Sequence, residues 1–277
     1  MKLALAVGVI LVAVVVAGCR HKEPPPAPVE TTPPLARLRI IFPEGFTRRE
    51  MVERVGAVHE IAIRERRVTP KLTAGGYRRA SAQAMPPAEF RKDWSRTHSS
   101  EGFLFPATYE FTKVTTSEKL VRDQLALFRR RWRSVDLRYA RSKNLTPYDV
   151  LTIASMIEKE TVAPEERWLV SAVIYNRLRN GMALGIDATI RYGRNVPGTE
   201  SLKQSDLESD SPYNTRERLG LPPTPISNPG LASIRAAARP ARVDYLFFVR
   251  KPDEVHHFFT ASESEFFQKK CEYGFGC

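Results

Sequence analysis

The chain lacks the motifs by which several common enzyme classes are recognised. It contains no Gly-x-Ser-x-Gly nucleophile elbow, no phosphate-binding glycine loop and no His-Glu-x-x-His zinc helix. Of its five histidines only His256 and His257 are adjacent, and neighbouring side chains on a strand point to opposite faces of the sheet. We therefore expect no metal site, and a carboxylate enzyme is the interpretation that these absences favour.

A long apolar run occurs only at the start of the chain. Residues 3 to 16 are apolar apart from Gly8, which is shorter than the about 20 residues of a membrane span. The next residues, Val16-Ala17-Gly18-Cys19, resemble a bacterial lipobox. This implies that residues 1 to 19 are a lipoprotein signal and that Cys19 carries a lipid anchor; an uncleaved anchor helix is the alternative. In either case we expect the rest of the chain at the cell membrane, on its extracytoplasmic face.

Acidic residues are outnumbered by basic ones. The 43 lysines and arginines exceed the 31 aspartates and glutamates, so the formal net charge is +12. Such a charge favours polyanions: nucleic acid, anionic lipid or anionic cell-wall polymers. Export from the cytoplasm disfavours nucleic acid as the partner. A basic surface without a specific ligand remains an equal alternative, so charge alone selects no function.

If Cys19 is lipidated, two further cysteines remain, Cys271 and Cys277. They bracket a short segment with two glycines and would lie in an oxidising compartment. We predict that they form a small terminal disulfide. Two free thiols in a frayed tail are the alternative.

The region after the signal divides into a linker and the first ordered elements. Residues 20 to 36 carry six prolines, which predicts an extended linker. A short strand is predicted over residues 38 to 42. Thr47, with Glu50 at the spacing of a capping box, predicts the start of a helix.

The secondary-structure signals in the sequence are weak for residues 68 to 100 and clear after them. Residues 68 to 100 give a poor signal, and Gly75-Gly76 is interpreted as a helix breaker. Later residues show helical spacing, caps and strand-like runs. The elements predicted there are helices over residues 117 to 132, from Thr146, and from Pro164 to Asn180, and a hairpin that joins residues 245 to 249 to residues 258 to 260.

The helix that begins at Pro147 carries two candidate catalytic residues. At about 100° per residue, Glu158 and Glu160 fall on opposite flanks of an apolar stripe, and Lys159 points outward. Residues two apart on a helix do not face each other, so these are not the paired carboxylates of a standard glycosidase. Periodicity does not choose between them, and two plain surface glutamates are the alternative.

Six groups of residues occur in an order and spacing that resemble the MltG/YceG family of endolytic murein transglycosylases. They are Glu101–Phe111 (EGFLFPATYEF), Ile153–Thr161 (IASMIEKET), Val173–Leu178 (VIYNRL), Asp187–Gly193 (DATIRYG), Ser211–Thr215 (SPYNT), and Gly220–Pro223 (GLPP) with Pro225–Gly230 (PISNPG). The resemblance implies an α+β fold behind the lipid anchor. Residues 37 to 111 would form a small LysM-like subdomain, and residues 112 to 277 a larger mixed α+β catalytic domain.

The resemblance also implies the chemistry and its residues. Glu160 is the predicted acid, because Glu160-Thr161 resembles the Glu-Ser pair of other lytic transglycosylases, and Glu158 is held in reserve. The enzyme would cleave the MurNAc–GlcNAc bond of nascent strands, leave 1,6-anhydroMurNAc ends and so limit strand length. No metal or cofactor is required. The residues predicted to line the sugar cleft are Asp187, Thr189, Tyr192, Tyr213, Asn214 and Thr215, and the first five are predicted to lie in loops.

Partners and alternatives follow from the same comparison. Peptidoglycan glycan strands are the expected substrate, the membrane is reached through the lipid anchor, and peptidoglycan synthases are candidate partners. The alternative function is a non-catalytic peptidoglycan-binding scaffold. Two positions depart from the family's pattern: Ala107 stands where an acidic residue is expected, and Ser264-Glu265 where the family usually has Glu-His.

The predicted disulfide can be tested by counting thiols. Denatured, unreduced protein that lacks the signal should contain no titratable thiol at Cys271 or Cys277, because both sulfurs would be in one covalent bond. Reduction should then release two thiols per chain. Two thiols before reduction would eliminate the bridge.

Overall fold

The first strand pairs with the strand that ends the EGFLFPATYEF segment. In the computed structural model, which describes residues 36 to 276, β1 (Leu38–Ile41) and β2 (Thr108–Phe111) run antiparallel with Ile40 opposite Tyr109. The strand predicted near the start of the ordered chain is confirmed. The signal, Cys19, nearly all of the linker and Cys277 lie outside the described residues.

Residues 36 to 276 form an α+β fold of eleven α-helices, two 3₁₀ turns and two small sheets, as predicted. The helices are α1 (Arg48–Arg66), α2 (Ala74–Ala82), α3 (Arg91–Trp94), α4 (Ser117–Trp132), α5 (Arg138–Ser142), α6 (Pro147–Glu160), α7 (Arg167–Arg179), α8 (Asp187–Arg194), α9 (Gln204–Leu207), α10 (Leu231–Ala238) and α11 (Glu263–Glu272). The 3₁₀ turns are Ala88–Phe90 and Pro164–Glu166. The second sheet is the antiparallel hairpin of β3 (Phe247–Arg250) and β4 (His257–Thr260).

Capping side chains begin the two helices that hold most of the site in place. The Thr47 hydroxyl accepts the backbone N–H of Glu50, and the Glu50 carboxylate accepts the N–H of Thr47 at 2.6 Å, so α1 starts with a capping box. Helix α6 starts in the same way, with Thr146 and Asp149. Each box satisfies backbone donors that a helix start would otherwise leave unpaired. Both predicted helix starts are confirmed.

The prediction that Gly75-Gly76 breaks a helix is wrong, because both glycines lie inside α2. Thr73 caps this helix by accepting the N–H of Gly76. A Cβ atom added at Gly76 would lie 2.6 Å from the Ser117 hydroxyl oxygen. Glycine is therefore needed here for the close approach of α2 to the start of α4, and tertiary packing outweighs its low helix propensity.

The regions before and after Phe111 share one core. Tyr77 on α2 donates a buried hydrogen bond to Gln124 on α4 at 2.6 Å. Phe103 packs edge-to-face against Phe128 of α4, with ring centroids 5.3 Å apart. Residues 36 to 276 belong to one compact unit. A LysM-like subdomain that ends near Phe111 stays a prediction.

Helix α6 lies at the centre of this core. Tyr148 and all residues from Val150 to Ile157 are buried, and α7, α8 and α10 pack around it. Burial therefore extends around the circumference of the helix, beyond the single apolar stripe predicted. Among residues 36 to 276, no helix has both the length and the apolar character that crossing a membrane requires.

Replacement of Phe103 by alanine should lower the free energy of unfolding by about 3 to 5 kcal/mol, because it leaves a cavity in a close-packed cluster. Phe103 is fully buried between Phe90 and Phe128. Phe267→Ala is the matched control, since that ring is 50% exposed, and its cost should stay near 0.5 kcal/mol. Urea denaturation of the two variants gives both numbers. Equal effects would contradict the burial of Phe103 in the core.

Candidate active site

Helix α6 ends where its two glutamates leave the core. Ile157 is the last fully buried residue, Lys159 is exposed, and Glu158 and Glu160 are each partly buried. The Thr161 side chain and backbone N–H both bond to the Ile157 carbonyl, which closes the helix at this point. The two carboxyl groups therefore enter different surroundings, as their positions on opposite flanks predict.

The Glu158 carboxylate is held by structural partners. It accepts the backbone N–H of Gly230 at 2.9 Å, and the Arg167 guanidinium lies 3.8 Å away. The side chain is only 6% exposed. Arg167 in turn donates to the Ser233 hydroxyl on α10. Glu158 thus fixes the turn that leads into α10, which leaves its carboxylate engaged on two sides.

Glu44 approaches the same turn from the segment that follows β1. A Cβ atom added at Gly230 would lie 2.0 Å from the Glu44 carboxyl group, so only glycine fits between Glu44 and the turn. Partial burial raises the pKa of Glu44; the Glu158 charge raises it further, and Arg167 lowers it. Arg167 therefore compensates part of the repulsion between two neighbouring acids.

Glu160 lies on the other flank, beside the start of α8. Burial raises its pKa to about 7, and the charge of Asp187 adds to the rise. Arg250, the backbone N–H of Ala188 and Arg191 act in the opposite direction. A carboxyl group with this pKa is substantially protonated at neutral pH. It can donate a proton and, once ionised, accept one back.

The β3–β4 hairpin brings Arg250 toward Glu160. His257, which pairs with Arg250 across the hairpin, donates its backbone N–H to the Glu166 carboxylate at 2.8 Å. The His257 ring nitrogen Nδ1 lies 2.6 Å from the other carboxylate oxygen. Both side chains are buried. The contact between His257 and Glu166 holds the hairpin against the 3₁₀ turn that follows α6. This contact keeps the Arg250 guanidinium on the side of the protein where Glu160 lies.

Asp187, Thr189 and Tyr192, which were predicted in loops, lie instead on helix α8. Asp187 stands at its first position and accepts two hydrogen bonds from the Arg216 guanidinium, at 2.9 and 2.7 Å. It is half exposed, and its charge reaches Glu160. Of the six predicted cleft residues, Asp187 is the one whose electrostatic effect on Glu160 is resolved.

The other predicted cleft residues shape the wall behind α8. Thr189, Asn214 and Thr215 are buried; the two threonine hydroxyls lie 3.0 Å apart, and Asn214 donates to the Leu207 and Ser209 carbonyls. Tyr192 and Tyr213 are partly buried and pack edge-to-face at 5.1 Å. Because Thr189, Asn214 and Thr215 are buried, their role is to stabilise the loop that contains Asn214 and Thr215. Direct contact of any of the five with a sugar stays a prediction.

Glu101 is a buried carboxyl group that was not predicted as a site residue. It accepts the N–H of Arg48 at the start of α1, the Asn228 amide at 2.6 Å and the Tyr192 hydroxyl at 3.3 Å. Burial raises its pKa to about 7, although Arg48 and the Tyr192 hydroxyl lower it. The signal available in the sequence was its place at the head of the EGFLFPATYEF segment. It joins α1, α8 and the PISNPG turn.

The remaining site predictions concern metal and thiols. Within residues 36 to 276, no three His, Cys, Asp or Glu side chains cluster as metal ligands. Cys271 is disulfide-bonded; its predicted partner Cys277 lies outside the described residues, so that pairing stays a prediction.

Two surface cavities, of about 670 and 480 Å³, are lined by neither Glu158 nor Glu160.

Comparison with known proteins supports the motif resemblance. The YceG-like family matches residues 29–272. An endolytic murein transglycosylase of Streptococcus pneumoniae is 35% identical over 181 residues, which cover 63% of this chain and 32% of the relative. A protein of the same name from Bacillus subtilis is 37% identical over 155 residues, covering 56% and 42%. The chain thus spans less than half the length of these relatives.

A solved structure has the same fold. The crystal structure of a yceG-like protein from Listeria monocytogenes superposes with a TM-score of 0.67 at 27% identity, and the match covers 84% of this chain and 76% of that one. The similarity therefore extends through most of the folded region, beyond the segments that contain the motifs.

Replacement of Glu160 by glutamine should make stability less dependent on pH. The folded-state pKa of about 7 lies above the ordinary value of 4.5, so the folded state binds the proton more tightly than the unfolded state. Wild-type protein therefore loses stability as the pH rises from about 4.5 to 7, and does not regain it above 7. The neutral amide removes this loss, which is on the order of 1 to 3 kcal/mol.

Urea denaturation at pH 5 and pH 8 tests this expectation. The difference in unfolding free energy between the two pH values should be smaller in Glu160→Gln than in wild type. Glu60→Gln, an exposed position on α1, should leave the difference unchanged. An unchanged difference in Glu160→Gln would mean that this carboxyl group is ordinarily solvated.

Proposed function

Because the chain belongs to the YceG-like family, we propose that it is an endolytic peptidoglycan transglycosylase whose catalytic acid is Glu160. The family's relatives that carry this activity in their names support the reaction class. The observation that carries the residue assignment is the sheltered carboxyl group at the end of α6, with a pKa of about 7. Glu158, on the same helix, is already engaged by Gly230 and Arg167.

The reaction needs one carboxyl group that acts twice. Protonated Glu160 donates its proton to the oxygen that links MurNAc to the next sugar, and the bond from the MurNAc anomeric carbon to that oxygen breaks. The 6-hydroxyl oxygen of the same MurNAc bonds to the anomeric carbon, and its proton passes to the Glu160 carboxylate. The products are a 1,6-anhydroMurNAc end and a free hydroxyl on the leaving strand. No water is consumed, and Glu160 is reprotonated.

The surroundings of Glu160 suit both halves of this cycle. Burial and Asp187 favour the protonated form, which donates first. Arg250 and the Ala188 N–H favour the carboxylate, which the first step leaves behind. Because the nucleophile is part of the substrate, positioning contributes much of the rate acceleration. The opposing influences keep the pKa near the pH at which both forms are accessible.

The compartment follows from the same function. We propose that Cys19 anchors the protein to the membrane by lipid and that residues 20 to 36 space the catalytic fold from it, on the extracytoplasmic face where glycan strands are made. By cutting within strands as they grow, the enzyme would limit their length. Peptidoglycan synthases would then be neighbours of this enzyme. The non-catalytic scaffold is the less favoured function, because the relatives of this chain carry the transglycosylase activity in their names.

Glu160→Gln should abolish the release of anhydroMurNAc ends from purified, uncross-linked glycan strands, with a loss of at least about a thousandfold, because the amide has no acidic proton to transfer. Mass spectrometry of the digested strands measures the ends. Glu60→Gln should retain wild-type activity. Glu158→Gln should keep the same products at a reduced rate, because it weakens the turn before α10 without removing the acid.

Three results would contradict the assignment. Full activity in Glu160→Gln would remove its role as acid. Complete loss in a folded Glu158→Gln variant would transfer that role to Glu158. Reducing ends in place of anhydro ends from the wild type would indicate hydrolysis.

A further inference from the structure

Two adjoining cavities form a groove whose lining includes neither of the α6 glutamates. The larger, of about 670 Å³, has Tyr139 and Tyr175 in its wall, and the smaller, of about 480 Å³, has Phe258 and Phe259. Tyr245 lines both and so joins them. We call these two cavities the aromatic groove. Each lies within the range of about 300 to 1,000 Å³ that is typical of small-ligand sites.

The rings in the aromatic groove are partly exposed, and Lys143 lies over the Tyr139 ring at 5.5 Å. Tyr139, Tyr245, Phe258 and Phe259 are all half-buried. Tyr139 lies 5.9 Å from the Tyr175 ring, and Tyr245 stacks on Phe259 at 6.0 Å. Such rings offer an apolar face with a polar edge. The apolar face of a pyranose ring can pack on them while its hydroxyl groups stay in water.

Hydrogen bonds hold the groove's wall in place without a ligand. The Asn176 amide on α7 donates to the carbonyls of Val243 and Tyr245, at 3.0 and 2.9 Å. The Tyr175 hydroxyl donates to the Ala237 carbonyl at 2.7 Å. A preformed wall loses little entropy when a ligand binds. The wall of the groove is therefore preformed, and hydrogen bonds hold it against α7 and the end of α10.

The charges around the groove favour an anionic ligand. Arg179 and Arg242 line the larger cavity, and within residues 36 to 276 neither has an ion-pair partner within 4.0 Å. Asp244 is the acid beside them. In the smaller cavity, Glu265 is engaged by the Thr260 hydroxyl, and Lys269 pairs with Glu272 at 2.7 Å while its ammonium lies over the Phe258 ring at 5.8 Å. The two arginines without ion-pair partners, beside half-buried rings, suit a chain of sugars that carries carboxylates.

We propose that the aromatic groove binds a stretch of glycan strand that lies outside the catalytic subsites. Its arginines would bind the carboxylates of the lactyl or peptide substituents, and its rings would pack against the sugars. The proposal rests on the proposed function for its ligand, but not on Glu160 as the acid. A second binding site of this kind gives the enzyme a higher affinity for long strands than for short fragments.

Binding is tested with full-length protein that carries Glu160→Gln, so that strands are not cut. In this background Arg242→Ala and Tyr245→Ala should each weaken the Kd for long, labelled glycan strands roughly tenfold, because each removes one principal contact. Arg141→Ala and Phe267→Ala, exposed positions outside the groove lining, are the matched controls and should leave the Kd unchanged. Thermal unfolding of each variant checks that the fold is intact.

A kinetic experiment with Glu160 present separates the groove from the catalytic subsites. Arg242→Ala should raise KM for long strands roughly tenfold without changing kcat, because uniform binding is lost. Cleavage of a fragment too short to span both sites should stay at the wild-type rate. Cleavage by Glu160→Gln would overturn the catalytic assignment but not the groove.

Two outcomes would overturn the groove as a glycan site. One is an unchanged Kd in Arg242→Ala and Tyr245→Ala alike. The other is binding to phosphatidylglycerol vesicles that Arg242→Ala abolishes while glycan affinity stays constant, which would make the groove a lipid-headgroup site.

Discussion

The burial of helix α6 is the constraint on which the rest of the site depends. A helix enclosed by α7, α8 and α10 from Tyr148 to Ile157 cannot rotate or slide without exposing apolar surface or creating voids. The residues that follow Ile157 therefore emerge at fixed positions. Glu158 and Glu160 are held on opposite sides of a rigid rod, and the surrounding elements decide what each carboxyl group does.

Those surroundings separate two residues that are chemically identical. On one side, a backbone N–H and an arginine engage the Glu158 side chain, which secures the turn before α10. On the other, burial and a neighbouring acid favour the neutral form of Glu160. Different surroundings for like groups are a common way to divide structural and catalytic roles within a site. The division here costs no additional residue, because one helix turn supplies both groups.

The sequence predicted the elements whose signals are local. The capping boxes at Thr47 and Thr146, helix α4 and the β3–β4 hairpin depend on neighbouring residues, and each is where it was expected. The Gly75-Gly76 prediction was wrong because a distant residue, Ser117, requires the absence of a Cβ. The buried role of Glu101 depends on partners from 53 to 127 residues away. Helical periodicity placed Glu158 and Glu160 on different flanks, but only the packing of α8 and α10 distinguishes those flanks.

The contacts that Tyr77, Phe90 and Phe103 make with α4 mean that the part of the folded region before α4 is not a detachable module. It supplies the hydroxyl that meets Gln124 and the rings that cover Phe128. A fragment that began at α4 would expose that surface to solvent and would associate or unfold. Recombination that adds a domain to such a protein must therefore join it outside the shared core, or within an exposed turn such as residues 197 to 200. A further domain can be added outside the shared core, but the parts of the fold before and after the start of α4 cannot be replaced separately.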